Sequence, residues 1–434
     1  MGDDHHATCR TVLFAGACAA AGAAAVGVAW AASARWSSST ASSRGSGSRR
    51  GRQAASHAAA CTRSTCDGVL GAIGHTPLVR IASLSRETGC EIYAKAEFLN
   101  PGGSVKDRVA LQVVREALER GDLLAGGGDL ITEGTAGSTG VSLALVAAAF
   151  GCRAFVALPD DAATEKAAIL EALGAEVARV RPVSITHPDH HVNVARRRAA
   201  AERAAGRRAL FADQFESPAN FRAHLGTGEE IWEQVGGAAA GGGTGGGEGG
   251  GGGTAAGGRG LHAFVSGAGT GGTIAGVSCV LKRHDPTVKV FLIDPPGSSL
   301  YNKVTRGVMY TREEAEGKRL RNPFDTITEG IGINRVTANF QLAQIDGAFK
   351  GTDREAVEMA AYLLRNDGIF IGSSAAMNCV GAVKAARLLG PGHTVVTVLC
   401  DGGQRHLSKF HSAQYLAGMS LSPEATGTGL GFVS

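Results

Sequence analysis

The sequence predicts an α/β protein built on mostly parallel sheet. Short apolar runs of strand length alternate with segments of helical length along most of the chain, which is the pattern of strand–helix–strand units. Several of these strands end in loops of glycine, serine and threonine, and open α/β sheets bind ligands at the carboxyl ends of their strands. The length of 434 residues gives room for two or three domains.

The chain opens on a segment unlike the rest. Val12 to Ala34 is free of charge and rich in alanine and glycine, with Arg10 before it and Arg35 after it. It is long enough to cross a bilayer, although alanine and glycine insert weakly. Trp36 to Thr65 is rich in serine and arginine and has no acidic residue, the composition of an organelle transit peptide. We expect residues 1–66 to be a disordered presequence that targets an organelle, mitochondrion (outer membrane included) or plastid, or tethers the chain to a membrane through residues 12–34. Asp3, Asp4 and the lack of a disulfide framework oppose a secretory signal. The formal net charge is +4, and residues 1–66 alone contribute seven arginines against two aspartates. The body is therefore nearly neutral and lacks the basic footprint of a nucleic-acid binder. The nine cysteines include no CxxC pair, and several lie in apolar runs, as suits buried thiols in a reducing compartment.

The folded part is expected to begin near Asp67. Gly68 to Ile81 reads as a turn feeding a short strand, and Glu91 to Glu97 alternates like a strand. Next comes Asn100-Pro101-Gly102-Gly103-Ser104-Val105-Lys106-Asp107-Arg108, with a helical run from Val109 to Arg120. Glycines allow close approach of another molecule. A lysine held there, if desolvated, loses its proton and becomes a nucleophile towards carbonyls. Lys106 is thus a candidate to bond an aldehyde cofactor. A helix-start lysine facing solvent is the alternative at this point.

Asp129 to Thr132 is a strand that runs into Glu133-Gly134-Thr135-Ala136-Gly137-Ser138-Thr139-Gly140 and a helix from Val141 to Phe150. A helix start rich in small hydroxyl residues binds anions, carboxylates included, or is simply capped by Ser138 or Thr139. Strands follow at Arg153–Leu158 and Glu176–Val180, with a helix from Asp161 to Leu173 between them. His187, His190 and His191 lie in a loop and read as solvated. Ala195 to Ala205 reads as an exposed basic helix. Gly236 to Gly258 is nearly all glycine, alanine and threonine and reads as a flexible surface insertion.

His262 to Ser266 is a strand leading into Gly267-Ala268-Gly269-Thr270-Gly271-Gly272-Thr273 and a helix from Ile274 to Lys282. Strand, glycine/threonine loop and helix together cradle a phosphate. No lysine stands in the Walker position. Asp294, after the strand Val288 to Ile293, is in reach of the acidic position of a dinucleotide fingerprint, so that reading stays open here. Asp353 to Asn366 is a helix. Gly368 to Ile371 reads as a strand entering Gly372-Ser373-Ser374-Ala375-Ala376 and a further helix. Thr394 to Cys400 is a strand ending in Asp401-Gly402-Gly403-Gln404-Arg405-His406-Leu407-Ser408. Four strand ends thus deliver small polar loops, which points to one shared site.

In this order the stretches GHTPLVRI, NPGGSVKDR, EGTAGSTG, DQFESPAN, GTGEEIW, GAGTGGTIAGV, EGIGI, GSSAA and DGGQRHLS resemble the cysteine synthase (O-acetylserine sulfhydrylase) family. It belongs to the fold-type II pyridoxal-phosphate enzymes, with cystathionine β-synthase and threonine dehydratase as relatives. The resemblance covers roughly Gly68 to Ser408. It implies two mostly parallel α/β domains with the cofactor in the cleft between them (a tryptophan synthase β-like fold). The smaller domain would span about 108–215 and the larger 67–107 and 216–412, leaving a tail at 413–434. It implies pyridoxal 5'-phosphate, a homodimer, no metal, and formation of L-cysteine from O-acetyl-L-serine and sulfide.

The family's roles carry over residue by residue. Lys106 would be the Schiff-base lysine. Gly269, Thr270, Gly271, Gly272 and Thr273 would hold the cofactor phosphate. Ser373, with Ser374 as the neighbouring choice, would face the pyridine nitrogen. Thr135, Ala136, Gly137 and Thr139, with Gln214, would hold the substrate, and Ser138 would stand near the cofactor ring oxygen. A neutral serine at the ring nitrogen suits β-elimination followed by addition.

Two departures stand out. The family usually has Thr-Ser-Gly-Asn-Thr-Gly where this chain has Thr135-Ala136-Gly137-Ser138-Thr139-Gly140, so one hydroxyl and one amide are lost. Ala375 stands where a glycine is usual. Similar substitutions occur in a membrane-tethered or mitochondrial cysteine-synthase-like subgroup. The same site could also serve cystathionine or cyanoalanine synthesis or serine β-elimination. A tethered scaffold that kept the fold is the non-enzyme alternative, and Lys106 speaks against it.

Overall fold

The computed structural model describes residues 66–135, 137–241, 260–310, 326–424 and 429–434. The expected presequence (residues 1–66, of which 1–65 are not described) with its apolar segment, Ala136, and most of the glycine-rich insertion lie outside the described residues. Among the described residues no helix is long and apolar enough to cross a membrane.

The strands form two sheets. The larger holds β1 (Leu78–Arg80), β2 (Glu91–Ala96), β7 (Ala263–Ser266), β8 (Lys289–Asp294), β9 (Gly347–Lys350) and β10 (Thr394–Leu399), in the order β1-β2-β10-β7-β8-β9. Only β1 and β2 pair antiparallel in it. The smaller holds β3 (Leu130–Gly134), β4 (Arg153–Pro159), β5 (Glu176–Val180) and β6 (Ala209–Phe211), in the order β5-β4-β3-β6 and wholly parallel. Buried strands of this kind read as near-continuous apolar runs because helices cover both faces.

The helix Lys106–Glu119 ties the two sheets together. Its apolar face, Val109, Ala110, Val113, Val114 and Ala117, is buried in the core around the smaller sheet. Its start is pinned to the larger sheet, because Val105 N donates to Cys400 O at 2.8 Å and Ser104 bridges Asp401 at the end of β10.

Three features differ from the expectations. Lys106 lies within the first helical turn rather than in the preceding loop. The stretch Gly368–Ile371 is not a strand, and only Ile371 makes a single bridge to Gly402. The reason is that β10 is already paired on both sides, by β2 and β7, so no edge is open there. Finally, a 24-residue helix runs from Pro218 to Gly241, so the insertion begins as helix and not as loop. Gly226, Gly228 and Gly236 disfavour that helix locally, but its packing against the helix Gly272–His284 requires small residues. A Cβ at Gly228 would stand 2.7 Å from Val280 Cβ, and one at Gly276 2.6 Å from His224 Cβ.

Candidate active site

Lys106 lines the end of β10. Its side chain is half-buried, and among the described residues its Nζ has no hydrogen-bond or ion-pair partner. Burial pushes its pKa down, against the opposing pull of Cys400 and Asp401. An amine with a lowered pKa and no partner is available for bonding. The neighbouring residues are, by contrast, fully engaged. Arg108 makes hydrogen-bonded ion pairs with Glu97 and Glu230. Asp107 accepts from Gly102 N and from Ser142 Oγ, and Ser142 Oγ also contacts Ser138 O at 3.0 Å. Lys106 is thereby held between the end of β10 and the loop after β3.

The loop after β7 is shaped by steric exclusion. Gly271 has φ +87°, and a Cβ there would lie 2.6 Å from Phe340 Cβ. A Cβ at Gly269 would collide with Gly330 O, and one at Gly272 with Asn220 Oδ1. The helix Gly272–His284 starts here, with the N–H groups of its first turn unsatisfied within the helix. Thr270 Oγ1 accepts from Asn220 Nδ2 at 2.9 Å, and Thr273 Oγ1 lies 3.2 Å from His224 Nε2. Burial first, and then the charges of Lys106 and Arg108, hold His224 well below its ordinary pKa. His224 is therefore a neutral side chain near both Lys106 and the loop.

The loop after β3 joins this cradle through a buried chain of hydrogen bonds. Thr139 Oγ1 donates to Gln214 Oε1 at 2.6 Å. Asn220 Nδ2 donates to Gln214 O at 2.8 Å as well as to Thr270 Oγ1. Gln214 N donates to Glu133 Oε2 at 3.1 Å, and Gly134 N to Glu133 Oε1 at 2.9 Å. Burial raises the Glu133 pKa to about 8. Gly137 N donates to Thr135 Oγ1 at 3.2 Å. Ser138 opens the helix Ser138–Ala149, and its hydroxyl has no protein partner among the described residues.

Ser373 and Ser374 open the helix Ser373–Leu389. Ser373 is fully buried, and its Oγ accepts from Glu329 N at 2.9 Å, leaving its own proton to donate elsewhere. Ser374 is buried beside it, and Cys400 Sγ, whose pKa burial pushes up to about 12, accepts from Asn378 Nδ2 at 3.4 Å. Asp294 is spent within the fold, where it accepts from Tyr301 N at 2.7 Å. Among the described residues no group of three or more His, Cys, Asp or Glu side chains could hold a metal.

An amine without a partner, a glycine cradle opening a helix, and a buried serine with a free proton fit the aldehyde, the phosphate and the ring nitrogen of pyridoxal phosphate. Sequence reasoning missed Asn220, His224, Lys166 and Glu329. Asn220 and Glu329 fall inside quoted motifs, but nothing in the sequence signals their contacts. Lys166 reads as an ordinary helix lysine.

Residues 69–401 match the family model described as pyridoxal-phosphate dependent enzyme. The chain is 50% identical over 364 residues to "Cysteine synthase 2" of Schizosaccharomyces pombe, covering 82% of this chain and 87% of that one. It is 52% identical over 353 residues to "Cysteine synthase 2" of Neurospora crassa, covering 79% and 73%. A Saccharomyces cerevisiae cysteine synthase relative, whose name assigns it provisionally to mitochondria, is 46% identical over 350 residues, covering 79% and 84%. Among solved structures, an O-acetylserine dependent cystathionine beta-synthase from Helicobacter pylori is similar with TM-score 0.64 and 29% identity, over 80% of this chain and 98% of that one.

Proposed function

We propose, from the premise that this chain belongs to the pyridoxal-phosphate-dependent enzyme family, that it forms L-cysteine from O-acetyl-L-serine and sulfide. The observation that carries the reading is the Lys106 amine, without a partner among the described residues, together with the crowded glycine loop Gly269–Thr273 and the buried Ser373. The cysteine synthases at about half identity favour the sulfide reaction.

When bound, pyridoxal phosphate supplies an electron sink at the substrate Cα, so that a group on Cβ can leave and a thiol can take its place. The residues supply the rest. N–H groups of Gly269, Gly271 and Gly272 and the hydroxyls of Thr270 and Thr273 would hold the phosphate, helped by the helix dipole. Ser373, with Ser374 as the neighbouring choice, would donate to the ring nitrogen without charging it. Thr135, Ala136, Gly137 and Thr139 would take the substrate carboxylate, with Gln214 fixing Thr139. Ser138 would serve the ring oxygen. Lys106 Nζ, with its lowered pKa, would take the Cα proton as general base.

The division into a smaller domain near 108–215 and a larger one around it is supported by the two sheets and their separate cores. An organelle-directed presequence is supported by the composition of residues 1–66 and by the S. cerevisiae relative. A homodimer rests on the family resemblance.

The likeness to a cystathionine synthase favours one second reading, in which the incoming thiol is homocysteine. The experiment that separates them incubates the purified holoenzyme with O-acetylserine and either sulfide or homocysteine. Cysteine formed at the higher kcat/KM supports the first reading. Cystathionine formed at the higher kcat/KM overturns it.

A further inference from the structure

The helix Thr164–Ala172 follows β4 in the smaller sheet, and its start leans on loops of the larger one. Ala167 and Leu170 bury in the smaller sheet's core, and none of the buried apolar clusters joins this helix to the 326–333 or 401–409 loops. The contacts between them are polar. Lys166 pairs with Glu329, Glu165 accepts from Ser408 N and from Ser408 Oγ, the latter at 2.6 Å, and Lys409 Nζ donates to Asp161 O at 2.6 Å.

Lys166 is unusual among these. Its side chain is only 4% exposed, and among the described residues Glu329 is its single ion-pair partner. Its methylene stem lies over Gly137, where a Cβ would collide with Lys166 Cδ. Glu329 is held independently, by His406 Nδ1 at 3.6 Å and Lys409 Nζ at 3.7 Å, while its own N–H is on Ser373 Oγ. The next residue, Gly330, sits with its carbonyl against Gly269. One ion pair thus links the loop after β3 to Ser373 and to the loop after β7.

We propose that Lys166 and Glu329 are a pair of positioning residues, an ionic latch that presses Gly137 and the start of the helix Ser138–Ala149 into their substrate-binding geometry. A buried ion pair adds little net stability, but removing one partner strands a charge. The latch therefore holds while both charges are present, and it opens without cost to an apolar core. Lys166 and Glu329 act through Gly137 and Ser373. The inference rests on the reading of that helix start as the amino-acid site.

The test uses the holoenzyme with Lys166→Met, Glu329→Gln and the paired exchange Lys166→Glu/Glu329→Lys. Amide hydrogen exchange over residues 160–172 is measured without substrate, and KM and kcat with O-acetylserine and sulfide. Each single variant is expected to speed exchange and raise KM on the order of tenfold, with kcat changed far less, and the paired exchange to recover most of both. Gly137→Ala, which displaces the Lys166 stem, is expected to speed exchange alike, and it carries the test should Lys166→Met not fold. Unchanged exchange and KM in the single variants overturn the latch, as does a paired exchange no better than either single change. Because exchange needs no substrate, altered exchange in a protein that forms no cysteine overturns the proposed reaction and leaves the latch standing. Cysteine formation with unaltered exchange overturns the latch alone.

Discussion

The two halves of the site are held in different ways. In the loop after β7, the glycines are surrounded by atoms that cannot yield: Gly330 O, the Phe340 backbone and the buried Asn220 amide. In the loop after β3, the neighbour that crowds Gly137 is the stem of a lysine, and the other ties are side-chain hydrogen bonds through Thr139, Gln214 and Glu133. The first half is fixed by steric exclusion and the second by polar contacts that can be exchanged one at a time. The departures that the resemblance implies, at Ala136 and Ser138, both fall in the second half. A closely crowded cradle has little room for added bulk, whereas a loop built on side chains can be retuned for a different substrate or rate.

The largest effect is expected where both halves meet. Lys106→Ala removes the amine that bonds the cofactor and takes the proton, so cysteine formation should fall on the order of a thousandfold or more. The purified variant should also lose the visible absorbance that borohydride bleaches in the parent. A variant that stays yellow and borohydride-sensitive would place the bond on another lysine.

Gly272→Ala tests the steric half. The added methyl would meet Asn220 Oδ1, a buried atom with no hydrogen-bond partner among the described residues. Overpacking of this kind costs about 1–3 kcal/mol, and here it also pushes apart the first turn that faces the phosphate. Cofactor affinity, followed by absorbance during dialysis, should fall about tenfold or more, while KM of the cofactor-saturated protein should move little. A variant that retains its cofactor but loses substrate affinity would erase the contrast between the halves.

Much of this arrangement was legible in the sequence. The strand–helix alternation gave β2, β4, β5, β7 and β10 close to their observed bounds; β4, β7 and β10 are largely buried parallel strands that leave a plain apolar run, whereas β2 is marked by its alternation. The glycine loop at Gly269–Thr273 was legible because helix starts with glycines have few other uses. The helix Pro218–Gly241 was not, since Gly228 serves a packing contact with Val280 that no local pattern encodes. Nor was the Gly368–Ile371 misreading avoidable, because whether an apolar run pairs depends on which sheet edges are already filled. In the site, residues that bond ligands sit in glycine-rich strings, whereas Asn220, His224, Lys166 and Glu329 act by distant contacts. Such contacts, over 50 to 163 residues of separation for Asn220–Thr270 and Lys166–Glu329, leave no periodicity to read.

A pH series tests the polar half. The Glu133 carboxyl stands at about 8 in the fold against an ordinary 4.5, because burial disfavours its charge. A carboxyl raised in this way favours folding fully below its unfolded value, and that contribution is lost as pH climbs from about 4.5 to about 8. The sign is opposite to that of Glu230, whose pKa is drawn down to about 2 despite burial, chiefly by its hydrogen bond and charge pairing with Arg108, and whose contribution is lost only in acid. Stability measured by urea unfolding should therefore decline between about pH 5 and pH 8, by at most about 1.4 kcal/mol per pH unit from this group. Glu133→Gln should flatten that slope whatever it does to the absolute level.

The smallest expected effect belongs to the departure itself. The Ser138 hydroxyl stands at the start of its helix with no protein partner among the described residues, so it is free to meet a ligand oxygen. Ser138→Asn restores the amide that the family usually carries there. The amide reaches farther than the hydroxyl and supplies two donors, while a net hydrogen bond is worth only about 0.5–1.5 kcal/mol. Ser138 is not among the fully buried residues. The variant should thus fold normally, bind its cofactor, and change kcat/KM with O-acetylserine by about tenfold at most. The direction decides what the serine is for. A gain means that the parent site gave up rate for O-acetylserine, and a screen of other β-substituted serines should then find one that the parent prefers. A loss means that the whole loop, Ala136 included, has been rebuilt around the shorter side chain, and restoring one residue of the usual pattern breaks a set that works together.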